Sequence, residues 1–447
     1  METEKDLVGT DAATAGNPLS IDLEPPAQVQ DGLLIHQAVL ARGLDVMLLP
    51  RQVMLAGAAG KEPGDVSFVH GIPQASTLSG VTYAQDKRVR RALLAKAGLG
   101  VPEGATFSYR GINDAQAFVK RVGFPLVLKE AVGENPTEEI SGINDEERLL
   151  EAVSELRMAP GKRSSAASSM TRSAYALTGL LDMEEDEDGN KLAAPSTRFL
   201  VEREVKGTYL RFLVLADEVL AVLHLQGGIK DGQPAQNGTG GIRCASLVPP
   251  RRKLWGKPRS EDVHPGFAEV ARKAVRTIPG LALAFVDIVV TDPHAAPEGQ
   301  HHWIVELSER PRLEVFSRAQ AGLGEQLAEK ILAYESGRVG TALQPVRDRV
   351  TVAMRAESVP DVKTFVPLLV QAARQLDLHG HADVGDPIEG SFDAVVEGPP
   401  AVVATLTEAI MGGGLADMRA IVLTERHVDA SGLGPFSQRS EEAEQAS

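Results

Sequence analysis

Between Leu283 and Phe316 lie two short apolar runs, Phe285 to Val290 and Trp303 to Ser308, joined by the polar stretch Asp292 to His302. Both runs are rich in β-branched and aromatic residues and bounded by Pro, Gly and Asp, a pattern that predicts an antiparallel strand pair. Side chains alternate across a strand, so Asp287, Val289 and Thr291 are expected on one face, as are Ile304, Glu306 and Ser308. If those faces meet, two carboxylates interrupt an otherwise apolar surface. An unpaired buried carboxylate is costly, so a cation is implied between or beside them. On the residues alone two readings stay open. One is Mg²⁺, which favours a few carboxylates and completes its shell with phosphate and water; the other is ion pairing with Arg310, Arg312 or Arg243.

The 447 residues suffice for two or three domains with real cores. Aromatic residues make up only 4%, which suits a mixed α and β chain packed mainly with Ala, Val and Leu. A net charge of −15 with no sustained basic stripe argues against nucleic acid as a partner. The single cysteine, Cys244, excludes an intrachain disulfide and a cysteine zinc cluster. No apolar run is long enough to span a bilayer, and the N-terminus lacks the plan of a signal peptide, so a cytoplasmic protein is expected.

Residues 1–30 read as a disordered arm and 31–80 as a small leading α/β piece: a helix over Leu33 to Arg42, stopped by Gly43, then a strand over Asp45 to Leu49. His36 reads as structural. Asp86 is placed to cap a helix that Gly98 ends. A strand over Thr106 to Tyr109, a helix capped by Asn113 or Asp114, and a strand bearing Lys129 follow. Asn144 and Glu147 suggest a capping box. Residues 159–197 read as a flexible insertion in the segment 81–340. A hairpin is expected over Tyr209 to Leu225, with helices at Phe267 to Thr277 and Gln320 to Tyr334. Residues 346–439 carry a βαββαβ order, the split βαβ plan of a ferredoxin-like domain, and 440–447 form a tail.

Val286-Asp287-Ile288, followed by Val305-Glu306-Leu307-Ser308-Glu309-Arg310-Pro311, resembles the end of an ATP-grasp domain. The resemblance covers Val81 to Tyr334 and implies an α+β fold of two lobes clasping a nucleotide. By it Asp287 and Glu306 are metal ligands, and Ser308 stands where the family usually has Asn. Asp86-Lys87 through Ala97-Gly98 to Val101-Pro102 is similar to the family's opening of the nucleotide lobe, which makes Lys87 a phosphate contact. Lys129 matches the second ATP lysine. Arg198 to Gly207 resembles the adenine hinge, with backbone from Glu202 to Val205 facing the base and Glu202 or Glu204 serving the ribose or the amine. Arg211 matches an arginine of cyanophycin-synthetase-like members. Asn237 to Arg243 is similar to a segment of peptide-ligating members, where Arg243 would stabilise an acyl phosphate, and Arg310 and Arg312 would receive a carboxylate. The loop Gly133 to Glu139 departs from the family, with one glycine and three acids. The C-terminal module resembles acylphosphatases but lacks their arginine loop and asparagine, so it reads as a non-catalytic binding or dimerisation unit; in the second case the chain is a homodimer.

What the resemblance implies is an ATP-dependent carboxylate–amine ligase that forms an acyl phosphate and releases ADP and phosphate, with ATP and Mg²⁺ (or Mn²⁺) as cofactors. Amino acids or short peptides are the expected substrates. The alternative class is a degenerate nucleotide-binding sensor or partner subunit. An acyl-phosphate hydrolase working through the C-terminal module is disfavoured by the missing arginine loop.

Overall fold

A computed structural model describes residues 20–132, 139–158, 198–225, 229–230, 233–234, 241–248 and 261–439. Most of the expected arm, the acid-rich loop 133–138, the insertion 159–197, residues 235–240 and the tail from 440 lie outside the described residues. The fold is mixed α and β with several sheets. The chain divides into two compact units, one of residues 1–26, 36–66 and 340–447, the other of 27–35 and 67–339. The stretch 36–66, expected in a leading piece of its own, therefore shares a unit with the C-terminal module. No helix among the described residues is long and apolar enough to cross a membrane.

In the first unit the chain runs strand, helix, strand, strand, helix, strand from Val350 to His427. The strand Val350–Glu357 buries alternate residues, as a strand of a one-sided sheet must, and helices Val362–Gln375 and Pro400–Gly412 bury apolar faces of their own. The strand Leu44–Leu49 extends this sheet, pairing Val46 with Glu425 beside the edge that Val422–His427 would otherwise leave open. That added strand buries a polar knot. Glu425, 1% exposed, accepts from Thr407 Oγ1 at 2.5 Å and meets His36 Nε2 at 2.5 Å.

Two larger sheets of the second unit are each apolar on one face. A four-stranded antiparallel sheet runs in the order Gly104–Ser108, Arg198–Arg203, Leu126–Glu130, Glu139–Ile143. Leu126, Leu128, Phe199 and Val201 pack on helices Ile112–Val122 and Glu146–Met158, so Val127, Lys129 and Glu202 face the other way. A five-stranded antiparallel sheet runs Ile242–Cys244, Glu218–Leu225, Thr208–Leu215, Leu283–Val290, His302–Ser308. Phe212, Val286, Ile288 and Leu307 pack with Phe267, Ala271 and Val275 of helix Gly266–Thr277.

Three local expectations are corrected. Helix Ile112–Val122 starts at Gly111 with no side-chain cap, which puts Asn113 and Asp114 inside it. Asp145, not Asn144, caps the next helix: its carboxylate accepts from the Arg148 amide at 2.8 Å, while Asn144 donates to the Gly142 carbonyl. The closing helix, expected over Gln320 to Tyr334, runs Leu323–Val339; a separate helix, Leu313–Ala319, precedes it, and Gly322 between them takes φ +79°.

Glu408, on helix Pro400–Gly412, is pushed up to about 7 by burial, which His36, a Gln52 hydrogen bond and Arg419 only partly offset. The folded state then holds a proton that the unfolded glutamate has released. Stability should accordingly fall as pH rises from the ordinary glutamate range to about 7, and level off above it. Urea midpoints followed across this window should show that slope in the wild type and a flatter profile in Glu408→Gln.

Candidate active site

The polar face of the five-stranded sheet carries a row of charge. Asp287 is the register partner of Arg211 on one side and of Glu306 on the other. Arg211 donates from Nε and an Nη to the two Asp287 oxygens, both at 2.8 Å, and its guanidinium lies 3.9 Å from the Phe285 ring centre. Such a fork is the strongest geometry open to an arginine and a carboxylate. Burial works against the charge on Arg211, yet Asp287 outweighs it and holds the guanidinium above its ordinary value.

Glu306 is held from a different element. Helix Lys87–Lys96 starts where Asp86 accepts from the amides of Arg88 and Val89. It brings Arg90 to the Glu306 carboxylate at 2.6 Å, with a second Arg90 donor to the Leu307 carbonyl at 2.5 Å. Burial opposes ionisation of Glu306, but Arg90, Lys87 and Lys129 together keep its carboxyl below the usual range. Burial pulls the Lys87 ammonium down, and Glu306 partly restores it.

A β-bulge sets the rest. Asp287 pairs with Glu306 but Ile288 pairs with Ile304, so Val305 is the extra residue on its strand. Its carbonyl accepts from Lys129 Nζ at 3.2 Å. The same ammonium meets Glu139 at 3.2 Å and Glu202 at 3.3 Å. The bulge also overturns the expected alternation: Ile304 joins the apolar core opposite Glu306. Glu202 is shared with Arg91, whose close approach needs the missing side chain of Gly104, where a Cβ would lie 2.9 Å from both partners.

One cavity collects these groups. Lys129, Glu202, Val205, Asp287 and Glu306 line it, with Tyr209, Arg211, Arg312 and Glu314. Burial pushes the Tyr209 hydroxyl up, with Glu139, Glu204 and Asp287 adding to the effect. Other sequence candidates sit elsewhere. Glu204 accepts from the Gly142 amide at 2.9 Å. Arg310 donates to the Gln28 carbonyl at 2.6 Å, and Ser308 Oγ accepts from the Arg310 amide. Arg243 is exposed on the edge strand Ile242–Cys244. Lys87 is buried beside Glu306 and Lys129 without lining the cavity. The acids pair with Arg211 and Arg90, not with Arg310, Arg312 or Arg243 as the ion-pair reading held. Arg90 and Arg91 were visible in the sequence only as charges on a basic helix; their partners lie more than a hundred residues away.

No family model matches the chain, and no curated protein does. Among solved structures it is similar to the VanG D-Ala:D-Ser ligase from Enterococcus faecalis, at 15% identity and a TM-score of 0.37 over 58% of this chain and 64% of that one. It is similar also to a bifunctional glutathione synthetase from Pasteurella multocida, at 15% and 0.36 over 64% and 41%. A third is the ATP-grasp ligase PsnB with its minimal precursor, at 14% and 0.33 over 57% and 62%. The chain matches less than two thirds of each of them. Overlaps this loose carry no argument about fold or chemistry, which rests on the residues above.

Removing one partner of the Arg211–Asp287 pair leaves a buried charge uncompensated. Arg211→Ala should cost about 3–5 kcal/mol, and the joint replacement Arg211→Met with Asp287→Leu should recover most of it. Urea unfolding of the three variants measures both.

Proposed function

We propose that this chain is an ATP-dependent carboxylate–amine ligase of the ATP-grasp kind, which activates a carboxylate as an acyl phosphate and passes it to an amine with release of ADP and phosphate. The observation that carries the reading is convergence: Lys129 from one sheet and the register partners Asp287 and Glu306 from the other line a single cavity, with Lys87 buried beside them.

In this reading the chain's own groups divide the work. Lys129 and Lys87 neutralise phosphate oxygens as ammonium point charges. Arg211 lies across the Asp287 strand from Glu306 and supplies a further cation to an acyl phosphate. The backbone around Val205 faces the base, and Glu202 serves its polar edge. The two sheets hold both reactants in line, which accounts for much of the rate without a covalent nucleophile.

The acid pair fits a magnesium ion. No group of three or more His, Cys, Asp or Glu residues that could cage a metal occurs among the described residues. Two adjoining carboxylates are nonetheless what Mg²⁺ takes from protein when substrate phosphates fill out its shell. Asp287 and Glu306 would hold it, while the Ser308 hydroxyl is engaged by the Arg310 amide. The chemistry such a cation supplies is neutralisation of charge on the transferring phosphoryl group. The proposed substrates are amino acids or short peptides.

Lys129→Ala and Glu306→Gln should each lower ATP turnover on amino acid and peptide pools by about a hundredfold or more, the scale of losing a main electrostatic contact to the transition state. Product analysis should show ADP and phosphate. Release of AMP and pyrophosphate instead, or near-normal rates in either variant, would remove the mechanism.

A further inference from the structure

One corner of the cavity holds two charges that the phosphate chemistry does not use. Arg312 and Glu314 both line it, with side chains 17% and 24% exposed. Their nearest charged atoms, an Arg312 Nη and Glu314 Oε1, stand 3.9 Å apart, beyond hydrogen-bond reach. Among the described residues, neither side chain makes a hydrogen bond with another side chain or with a neighbour's backbone. Largely buried charged groups usually have such partners, because lost hydration is otherwise unrecovered.

Their surroundings explain why they do not simply collapse onto each other. Arg312 is held with φ 54° and ψ 50°, the left-handed region, by the carboxylate of Asp31, which accepts from the Arg312 amide at 3.3 Å and from the Leu313 amide at 2.7 Å. Gly71 packs on the Asp31 side chain, where a Cβ would come within 2.7 Å, so this clamp has little freedom to shift. Burial pushes the Glu314 carboxyl up, with the Asp31 charge adding to it and Arg312 only partly offsetting it. Burial also pulls the Arg312 guanidinium down, with Arg310 adding to it and Glu314 and Asp31 only partly offsetting it. Each charge is thus met only loosely by the other, with no hydrogen bond between them, and both groups line the cavity.

We propose that Arg312 and Glu314 form a subsite for a zwitterion, with Arg312 taking the carboxylate and Glu314 the ammonium of a free α-amino acid. The inference rests on the ligase reading and narrows its substrate class. An α-amino acid hangs both charges on one Cα, which matches two groups 3.9 Å apart. A dipeptide separates its termini by a further Cα–Cα step of about 3.8 Å and fits one group or the other, not both. Arg211 and Asp287 are forked to each other and are assigned above to the phosphoryl group and its cation.

The test is binding, read by thermal shift and then by calorimetry, with and without a non-hydrolysable ATP analogue plus Mg²⁺. The probes are the common free L-amino acids and, for the tightest binder, its Nα-acetyl form, its amide and its homodipeptide. At least one free amino acid should bind, and each of the three altered forms should bind on the order of tenfold more weakly, about 1.4 kcal/mol. Glu314→Gln and Arg312→Gln should erase that preference while leaving affinity for the ATP analogue unchanged, which also certifies that the variants are folded. Binding of the capped or dipeptide forms as tightly as the free one, or of no free amino acid at all, overturns the subsite. Loss of analogue binding in the wild type sinks the ligase reading instead, and the titrations without nucleotide still decide the subsite.

Discussion

Asp287 is fully buried, and the fold tolerates it because two neighbouring strands deliver countercharge in register. A carboxylate at such a position costs several kcal/mol in lost hydration unless its oxygens are satisfied. The Arg211 fork satisfies both. Glu306 lies beside it, and its own cation, Arg90, comes from a helix on the far side of the strand pair. The geometry of the cavity follows from this arrangement: the five-stranded sheet could not turn a polar face inward without it, and the four-stranded sheet answers with Lys129 and Glu202.

The cavity stores its charge as pairs, so an incoming polyanion has to exchange partners rather than fill a bare positive hole. Under the proposed function, Lys129 would give up Glu139, Glu202 or the Val305 carbonyl to reach a phosphate. Each exchange trades one charge-assisted contact for another, and the net gain is small until several occur together. Under the same proposal, such a site would respond weakly to a lone phosphate and strongly to a ligand that satisfies it all at once. That selectivity concentrates binding energy on the state in which every contact is made.

Much of this was legible in the sequence, and the misses share a physical origin. The strand pair, its carboxylates and the lysine on the Leu126–Glu130 strand follow from period and punctuation, which are local. The side of the sheet on which Ile304 lands does not, because a bulge is a property of two strands and leaves no mark in the residues of one. Glu202 and Glu204 looked equivalent. The strand ends at Arg203, so only Glu202 obeys its alternation toward the cavity, while Glu204 turns to the Gly142 amide. Arg90 and Arg91 read as a solvated basic face, since nothing local announces a partner two hundred or one hundred residues distant. The caps failed for a smaller reason, the shift of a helix start by one or two positions.

The bulge at Val305 has a consequence for how this segment can change over time. Because the surplus residue sits between Ile304 and Glu306, those two side chains lie on opposite faces of the strand, as adjacent residues of a regular strand would. Dropping that residue would straighten the ladder with Ile304 still in the core and Glu306 still on the polar face, but it would remove the carbonyl that accepts from Lys129. The surplus residue is therefore dispensable to the alternation of the strand, and what it adds is a backbone group aimed at the cavity.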